Sequence, residues 1–590
     1  MMKSQQGFYP RLLSKLLSDM AESVDENSLA RDRDYLKSRY ATEGLTFFTR
    51  ILPSFGKAVL HGIESGRFHP PLGFRKSRKG SLLPAFLQGW TKRIFSADLS
   101  VLPDINPHDL GEVMQICMLL YKLELPYSHE QEATVVNSFI KTEHEMANPQ
   151  EDLPLHGNVL DLASSLLDRA LNGFNPKDIK PGHGPGAVAT GERGNDKYSF
   201  RRKYQRLHQE FPYYRYFSPS LSAISFESAW YKHLEPSVLP IAKVCLVPKD
   251  SRGPRLISME PLEIQWIQQG ILRRIVPHIE KSSFIRGKIN FTSQEKNRQL
   301  ALEASANKAY CTLDLKEASD RVSLSLFRRI FPKDLVKTFE SCRSIATELP
   351  DGRILPLSKF APMGSALCFP VMALTIWALT EATIILKHRK RKHFLVYGDD
   401  IIVPTEDVDC VIETLHSAGL LVNNEKSYIN SLYRESCGLD AYNGVLVTPV
   451  RLRRGIDREQ RDSHTYTHLI EFSESLFDRG LWRTCSFIRK SLRDVFGKIP
   501  WTHDHTYPGF FCPDISVCDQ RNSSFRKRYN SDLQRYEIHL RTVESDRIPS
   551  GLQYHSQLLK GLLGLYSESE EDFHVTPRRR CELRRRWCAA

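Results

Sequence analysis

Phe394-Leu395-Val396-Tyr397-Gly398-Asp399-Asp400-Ile401-Ile402-Val403 is an apolar run, a glycine-centred turn and a second apolar run. That order predicts a β-hairpin carrying two adjacent carboxylates at its tip. Two acids held side by side repel each other unless a cation neutralises them, so the pair points to bound divalent metal and to phosphoryl-transfer chemistry. A lone Gly-Asp-Asp is also a common solvent-exposed turn, and the metal reading needs a partner elsewhere in the chain.

The partner lies upstream. Ala309, Cys311, Leu313 and Leu315 alternate with Tyr310, Thr312 and Asp314, the pattern of a half-buried strand with Asp314 on its polar face. Asp314 and Asp399 on neighbouring strands can clamp two metal ions about 3.5 to 4 Å apart, the spacing used for in-line displacement at phosphorus. Consecutive side chains diverge at a turn, so Asp400 is expected to be the more peripheral ligand. Mg²⁺ takes only one or two protein carboxylates and completes its shell with phosphates and water.

Around this pair the spacing predicts a helix over Ser323 to Phe331 and another through Val408, Val411, Ile412 and Leu415, ended by Gly419. Strand, helix, helix, hairpin, helix is an α+β order, an antiparallel sheet packed on helices rather than a doubly wound sheet. Leu439 to Val450 turns at Asn443-Gly444, a two-residue hairpin signal.

A chain of 590 residues with 41% hydrophobic content can bury a large core, and its length suggests roughly three or four structural units. The formal charge of +13 favours a polyanionic partner only modestly over so long a chain. Cys117, Cys311 and Cys368 sit among apolar residues and read as reduced core cysteines. His503, His505, Cys512 and Cys518 can be arranged as zinc ligands, but no Cys-x-x-Cys pair supports the spacing.

Lys3, Arg11, Lys15 and Asp19 interrupt the first residues, so a secretory signal is not expected; Leu12, Leu13, Leu16, Leu17 and Met20 instead trace an amphipathic helix. Ala361 to Thr380 carries no charge over a length that spans a bilayer, yet Pro362, Gly364 and Pro370 break its first half. A buried loop and helix is the expected outcome. Lys197 to Phe217 interleaves cations with Tyr198, Phe200, Tyr204, Phe211, Tyr213, Tyr214, Tyr216 and Phe217. It reads either as a stacking surface for single-stranded RNA or as a solvated face whose rings turn into the core. The arginines Arg578, Arg579, Arg580, Arg584, Arg585 and Arg586 form a basic tail, equally an RNA contact or a disordered solubilising end.

Leu313-Asp314-Leu315-Lys316-Glu317-Ala318-Ser319-Asp320, Met363-Gly364-Ser365 and Tyr397-Gly398-Asp399-Asp400 resemble palm motifs A, B and C of RNA-dependent RNA polymerases, in that order. More narrowly, the chain is similar to the replicase catalytic subunit of positive-strand RNA bacteriophages, the levivirus group. Gly182-His183-Gly184-Pro185-Gly186-Ala187 and Arg193-Gly194-Asn195-Asp196-Lys197-Tyr198 fit that group, and the resemblance runs from about residue 180 to 455.

The resemblance implies a right-hand polymerase of fingers, palm and thumb. It divides the chain into a mainly helical region 1–180 for scaffold and host-factor contacts, fingers 181–308, palm 309–455 with a fingers insertion near 332–360, and thumb with basic tail 456–590. Lys243, Lys249, Arg252 and Arg255 resemble the basic fingers motif that steers the incoming triphosphate. Lys426 falls where these polymerases carry a motif D lysine that protonates departing pyrophosphate, with a plain surface lysine as the alternative. Gly364 belongs to motif B, and Asp320, with Ser319 or Ser365 beside it, is implied as the reader of the ribose 2′-hydroxyl. Cys368 and Met372 depart from the polar residues often found four and eight positions after the motif B glycine.

The implied reaction is template-directed RNA synthesis by two-metal nucleotidyl transfer, with Asp314, Asp399 and Asp400 as ligands of two Mg²⁺ ions, Mn²⁺ substituting. The implied partners are a single-stranded RNA template and product, ribonucleoside triphosphates, and bacterial elongation factors Tu and Ts with a ribosomal RNA-binding protein. The setting is the bacterial host cytoplasm, with no membrane. A reverse transcriptase shares the palm, but Asp320 stands where a bulky residue would exclude the 2′-hydroxyl, and Gly398 precedes the acid pair. A noncatalytic RNA-binding protein on a decayed palm would not retain all three acids, and a metal-dependent nuclease does not need the triphosphate-steering segment.

Overall fold

The structure is a computed structural model that describes residues 7–22, 24–74, 82–147, 157–218, 228–237, 239–456, 461–505, 507–547 and 579–589. At its centre lies a three-stranded antiparallel sheet in which Asp400–Pro404 runs between Tyr310–Leu313 and Leu395–Tyr397. Leu313 pairs with Ile401 and Tyr397 with Asp400, so the hairpin tip lies beside the end of the first strand. Gly398 has φ +63°, which the tight turn requires, and a Cβ there would come within 2.4 Å of the Phe369 ring.

Both faces of this sheet are covered. Cys311, Leu313, Val396, Ile401 and Val403 join one core with the helices Cys368–His388 and Val408–Ser417, while Leu395 and Ile402 pack on Ala301 of the helix Glu295–Asn307. The expectation of a half-buried first strand is therefore corrected. Thr312, on the supposed polar face, is as buried as Cys311, because segment 422–428 lies along the strand's free edge through bridges Thr312 to Tyr428 and Leu315 to Val422.

Local signals hold elsewhere. Ser323 caps the helix Leu324–Ile330 by accepting the Leu326 N–H at 3.1 Å, and Gly419 follows Val408–Ser417 with φ +82°. Asn443 and Gly444 both take positive φ between strands Leu439–Tyr442 and Val445–Leu446. Cys437 and Gly438 repeat that geometry one hairpin earlier, between Tyr433–Ser436 and Leu439–Tyr442. Cys368–His388 is the one helix among the described residues long and apolar enough to cross a membrane, and it is buried within the protein. Pro370 lies in its first turn, where no intrahelical N–H bond is lost.

A second, four-stranded sheet orders Gly253–Met259, Ile241–Asp250, Ala346–Glu348 and Ile354–Pro356, so the 332–360 region contributes two strands to the basic hairpin's sheet. The amino-terminal third divides among three environments. Residues of 9–123 share one core with the helices Ser463–Asp478 and Trp482–Phe496; Phe139 of helix His129–Ala147 packs on Val244, Leu349 and Leu357; and helix Gly157–Ala170 joins the core of the central sheet. The predicted first helix is Phe8–Asp19, with Leu12, Leu13, Leu16 and Leu17 fully buried. Asp19 at its end caps Trp482–Phe496, accepting the N–H groups of Arg483 at 2.7 Å and Thr484 at 2.8 Å.

Four other expectations are met or corrected here. Of the rings in 197–217, only Tyr214 is exposed, and the Lys197 ammonium is itself buried against the carbonyls of Gly184 and Gly186. The segment is thus a core element and not a stacking surface. Residues 579–589 form a strand paired with Arg535–Arg547, so this arginine-rich run is ordered sheet, with Arg584 and Arg586 on Glu544; Arg578 and Lys3 lie outside the described residues. His505 stacks on Phe511 and the Cys518 thiol donates to the Cys512 carbonyl, and with His503 these side chains do not converge on a metal-ligand geometry. Cys117, Cys311 and Cys368 are free and buried.

Candidate active site

Asp314 directly follows its strand, and its position is fixed from the 422–428 side. Its N–H donates to Ser427 Oγ at 3.1 Å, its carbonyl accepts the Asn423 N–H at 2.8 Å, and its Oδ2 accepts from Asn423 Nδ2 at 2.7 Å. Lys426 Nζ stands 3.5 Å from the same oxygen. Asp399 and Asp400 face this group from the hairpin tip. Burial and the Asp314 charge push Asp399 up from its ordinary value, and burial with Asp399 and Asp314 pushes Asp400 up to about 7. Asp400 Oδ2 accepts the Cys437 N–H at 3.1 Å.

Glu435, on strand Tyr433–Ser436, is a fourth acid in the group, raised to about 8 by burial, Asp440 and Asp400. Against these carboxylates stands Lys426. Burial lowers its pKa, but Asp314, Glu435, Asp399 and Asp400 outweigh that and raise it on balance, so the ammonium stays protonated. Four crowded carboxylates, three of them with raised pKa values, and so little cationic compensation have the donor chemistry for hard divalent ions.

The basic residues separate into two groups. Lys249 is lowered by burial and by Arg255, with Arg252 and Lys426 adding, so these cations crowd one another beside the acids, and Arg255 also acts on Asp399. Arg252 folds back on Asp250 at 2.8 Å and lies over the Tyr121 ring at 5.0 Å. Lys243, by contrast, pairs with Glu348 at 2.9 Å on its own sheet.

The amino-terminal region completes this wall. Ser251 donates to the Thr49 carbonyl, Arg50 and Gln131 donate to the Ser251 carbonyl, each at 3.1 Å, and Tyr127 Oη accepts the Lys249 N–H at 3.0 Å. Lys57 lies 3.7 Å from Glu425 and over Tyr121 at 5.7 Å.

Asp320 is held by Lys359. That fully buried ammonium bridges Asp320 Oδ1 at 2.8 Å and Glu143 Oε1 at 2.9 Å, joining the loop after the first strand to helix His129–Ala147. Burial pushes Asp320 up to about 7, with Glu317 adding and Arg321 opposing, and burial likewise lowers Lys359 to about 7. Cys368 is buried close to this pair, and Met372 is buried one helical turn on. Gly364 has φ +123°, and a Cβ there would come within 2.1 Å of the Ser258 carbonyl oxygen, so only glycine lets this loop reach the neighbouring strand. Ser365 is buried, its Oγ accepting the Leu367 N–H at 3.4 Å, and Ser319 is partly exposed.

Asn423, Glu435, Lys57, Tyr121, Lys359 and Glu143 escaped the reading of the sequence. Asn423 and Glu435 flank predicted elements but carry no motif of their own; the others reach the site only through contacts distant in sequence.

Residues 186–461 match the family described as RNA replicase, beta-chain. That segment is a little under half of the chain. The chain is 32% identical over 219 residues to the RNA-directed RNA polymerase subunit beta of Qbeta virus strain MX1, covering 37% of this chain and 36% of the relative. It is 31% identical over 220 residues to the RNA-directed RNA polymerase beta chain of Escherichia phage MS2, covering 36% and 38%. The chain thus spans little more than a third of these replicase subunits. Among solved structures, the RNA-dependent RNA polymerase of a human picorbirnavirus aligns with TM-score 0.36 at 12% identity over 61% of this chain and 74% of that one. Sicinivirus 3Dpol aligns with TM-score 0.37 at 12% identity over 65% and 88%.

Proposed function

We propose that this protein is an RNA-directed RNA polymerase that copies a single-stranded RNA phage genome in the bacterial cytoplasm. The observation that carries the reading is the undercompensated group of Asp314, Asp399, Asp400 and Glu435, faced by Lys249 and Arg255 inside the segment akin to replicase beta chains. In this reading fingers span 181–308, palm 309–455 and thumb 456–590, with region 1–180 as scaffold.

Asp314 and Asp399 would hold two Mg²⁺ ions, or Mn²⁺ in their place, with Asp400 as the peripheral ligand. When bound, the ions would acidify the RNA 3′-hydroxyl and neutralise the triphosphate. Lys249, Arg252 and Arg255 would orient the triphosphate, and Lys243, engaged with Glu348, is the weakest member of that set. Asn423 holds the Asp314 carboxylate in place, and Lys426 has the protonation state needed to donate a proton to the leaving pyrophosphate. Asp320 on Lys359, near Gly364 and with Ser319 or Ser365, would accept the 2′-hydroxyl; a deoxynucleotide would leave that polar group unpaired. Template bases select by pairing, so the protein grips backbone and shape. Elongation factors Tu and Ts and a ribosomal RNA-binding protein are the host partners this reading implies.

The test is divalent-metal-dependent incorporation of labelled ribonucleotides and deoxyribonucleotides on an RNA template, with protein copurified from bacteria and an Asp399→Ala control. RNA synthesis that needs Asp399 and rejects deoxynucleotides upholds the reading. DNA synthesis points to reverse transcription, and inactivity with these host factors present points to a binding role.

A further inference from the structure

We propose that the cleft between helix Trp482–Phe496 and segment 499–525 is a second binding site for single-stranded RNA, with Arg489, Arg493, Lys498 and Arg521 holding phosphates and Trp482 stacking a base. The cleft has a volume of about 780 Å³ and is lined by these five residues together with Trp501. It shares no residue with the carboxylate group, and nothing in the catalytic reading uses it.

The charge arrangement is the first argument. Arg489 is 8% exposed, yet its guanidinium reaches only the Phe511 carbonyl at 3.3 Å, and its buried Nε has no hydrogen-bond partner. Among the described residues none of the four cations forms an ion pair, unlike Arg528 on Glu537 nearby. Burial lowers the Arg489 pKa and Arg521 and Arg493 press it further down, while Glu474, which acts against this, faces His505 at 3.7 Å. A buried cation crowded by exposed cations with no acid paired to any of them is relieved by an anion.

The rings decide which anion. Arg521 lies 3.9 Å above Trp501, and Arg489 stacks on the same ring at 5.0 Å. A guanidinium stacked through its face keeps its N–H edge for phosphate oxygens. Trp482 is 64% exposed at the start of its helix, and the Asp19 cap on Arg483 and Thr484 holds that helix end in place. Cations beside an exposed indole suit alternating phosphates and bases. An acidic peptide, including this chain's own Ser567 to Asp572, would use the cations but has no need of the indole.

This inference rests on single-stranded RNA being the chain's substrate class, and binding is read without synthesis, so the two can fail separately. The full chain, in EDTA, is titrated into a fluorescein-labelled single-stranded RNA of roughly 12 nucleotides across a salt series. Arg493→Glu with Arg521→Glu, both at exposed positions, is expected to weaken binding about tenfold or more and to reduce the log–log salt slope by about 1.4, two phosphate contacts at about 0.7 each. Trp482→Ala is expected to weaken binding about tenfold with the slope unchanged. A 4-thiouridine RNA should crosslink within 482–525. If the charge-reversed protein melts early, the crosslink and the milder Arg521→Gln decide. Wild-type affinity and slope in folded variants, crosslinks confined to other segments, or loss of binding to a Ser567–Asp572 peptide but not to RNA would each overturn the proposal.

Discussion

Strand Asp400–Pro404 has a carboxylate group at each end, and the two are opposites. At the far end, Asp407 is fully buried with Lys387 at 3.1 Å and Lys392 at 2.9 Å, beside His388, and Lys392 also holds Glu406 at 2.6 Å. His388, Glu406 and Asp407 are the one set of three among the described residues whose ligand atoms lie within 4.8 Å of one another. Two lysines already occupy the place of a cation there. Burial works against the Asp407 charge, but its bonds to His388, Lys392 and Lys387 outweigh it and hold the pKa low. At the near end, Asp399, Asp400 and Glu435 are all pushed up. The far cluster closes its charge within the protein, whereas the near one is left short of cations. Closeness of acids alone therefore does not tell the two clusters apart; the balance of surrounding cations does.

The largest effect expected from this contrast is on catalysis. Asp399→Ala should lower nucleotide incorporation by roughly 10³-fold or more, about 4 kcal/mol of barrier, in a steady-state assay. Activity within tenfold of wild type would break the comparison. Next, Lys392→Met leaves Asp407 buried with less compensation and should destabilise the fold by about 2–3 kcal/mol in urea unfolding, less than a fully unpaired charge because Lys387 remains.

Mg²⁺ at about 100 times its Kd should stabilise the wild-type protein by about 2.7 kcal/mol, seen as a higher Tm, and should lose this effect in Asp314→Asn/Asp399→Asn. A Tm gain that instead needed Asp407 would reverse the assignment of the two clusters.

Lys359→Met tests a lysine that serves two acids at the edge of the site. Discrimination between ribo- and deoxyribonucleotides should fall about tenfold, near 1.4 kcal/mol, read from the ratio of kcat/KM values.

The smallest effect is the pH response in EDTA. Asp400 and Glu435 have folded pKa values raised to about 7 and about 8, so their contribution is fully present below their ordinary carboxylate range and is lost as pH rises through 7 to 8. Asp407, held low, contributes above its ordinary value and loses that contribution only as pH falls through its depressed one. Acidification from pH 8 to 6 should therefore raise the Tm modestly, and Asp400→Asn should reduce the gain. An equal gain in Asp400→Asn would remove that residue from the account.

The reading of 197–217 shows where a sequence stops being legible. Alternating rings and cations satisfy both an RNA surface and a core element, and only the packing of Tyr198 and Phe217 on Trp266, with Tyr213 stacked on Phe217, separates them. The arginine-rich 579–589 run is similar: its composition suits a solvated tail, and pairing with Arg535–Arg547 makes it a strand. The zinc quartet failed because nearness in sequence does not set the direction of side chains.

What the sequence alone determined is local. The turn at Gly398 with its acid pair, the positive-φ turn at Asn443-Gly444, the capped helix after Ser323 and the apolar strands of the central sheet each follow from a few adjacent residues, because turn chemistry and side-chain periodicity act over such distances. Tertiary structure alone decided which charges meet. Asn423 reaches Asp314, Glu143 reaches Lys359, and Thr49, Arg50 and Tyr127 pin the basic hairpin, through contacts distant along the chain. Whether an acid ends up neutralised like Asp407 or exposed to its neighbours' repulsion like Asp400 depends on burial and on the sum of surrounding charges, and neither is carried by the residue itself.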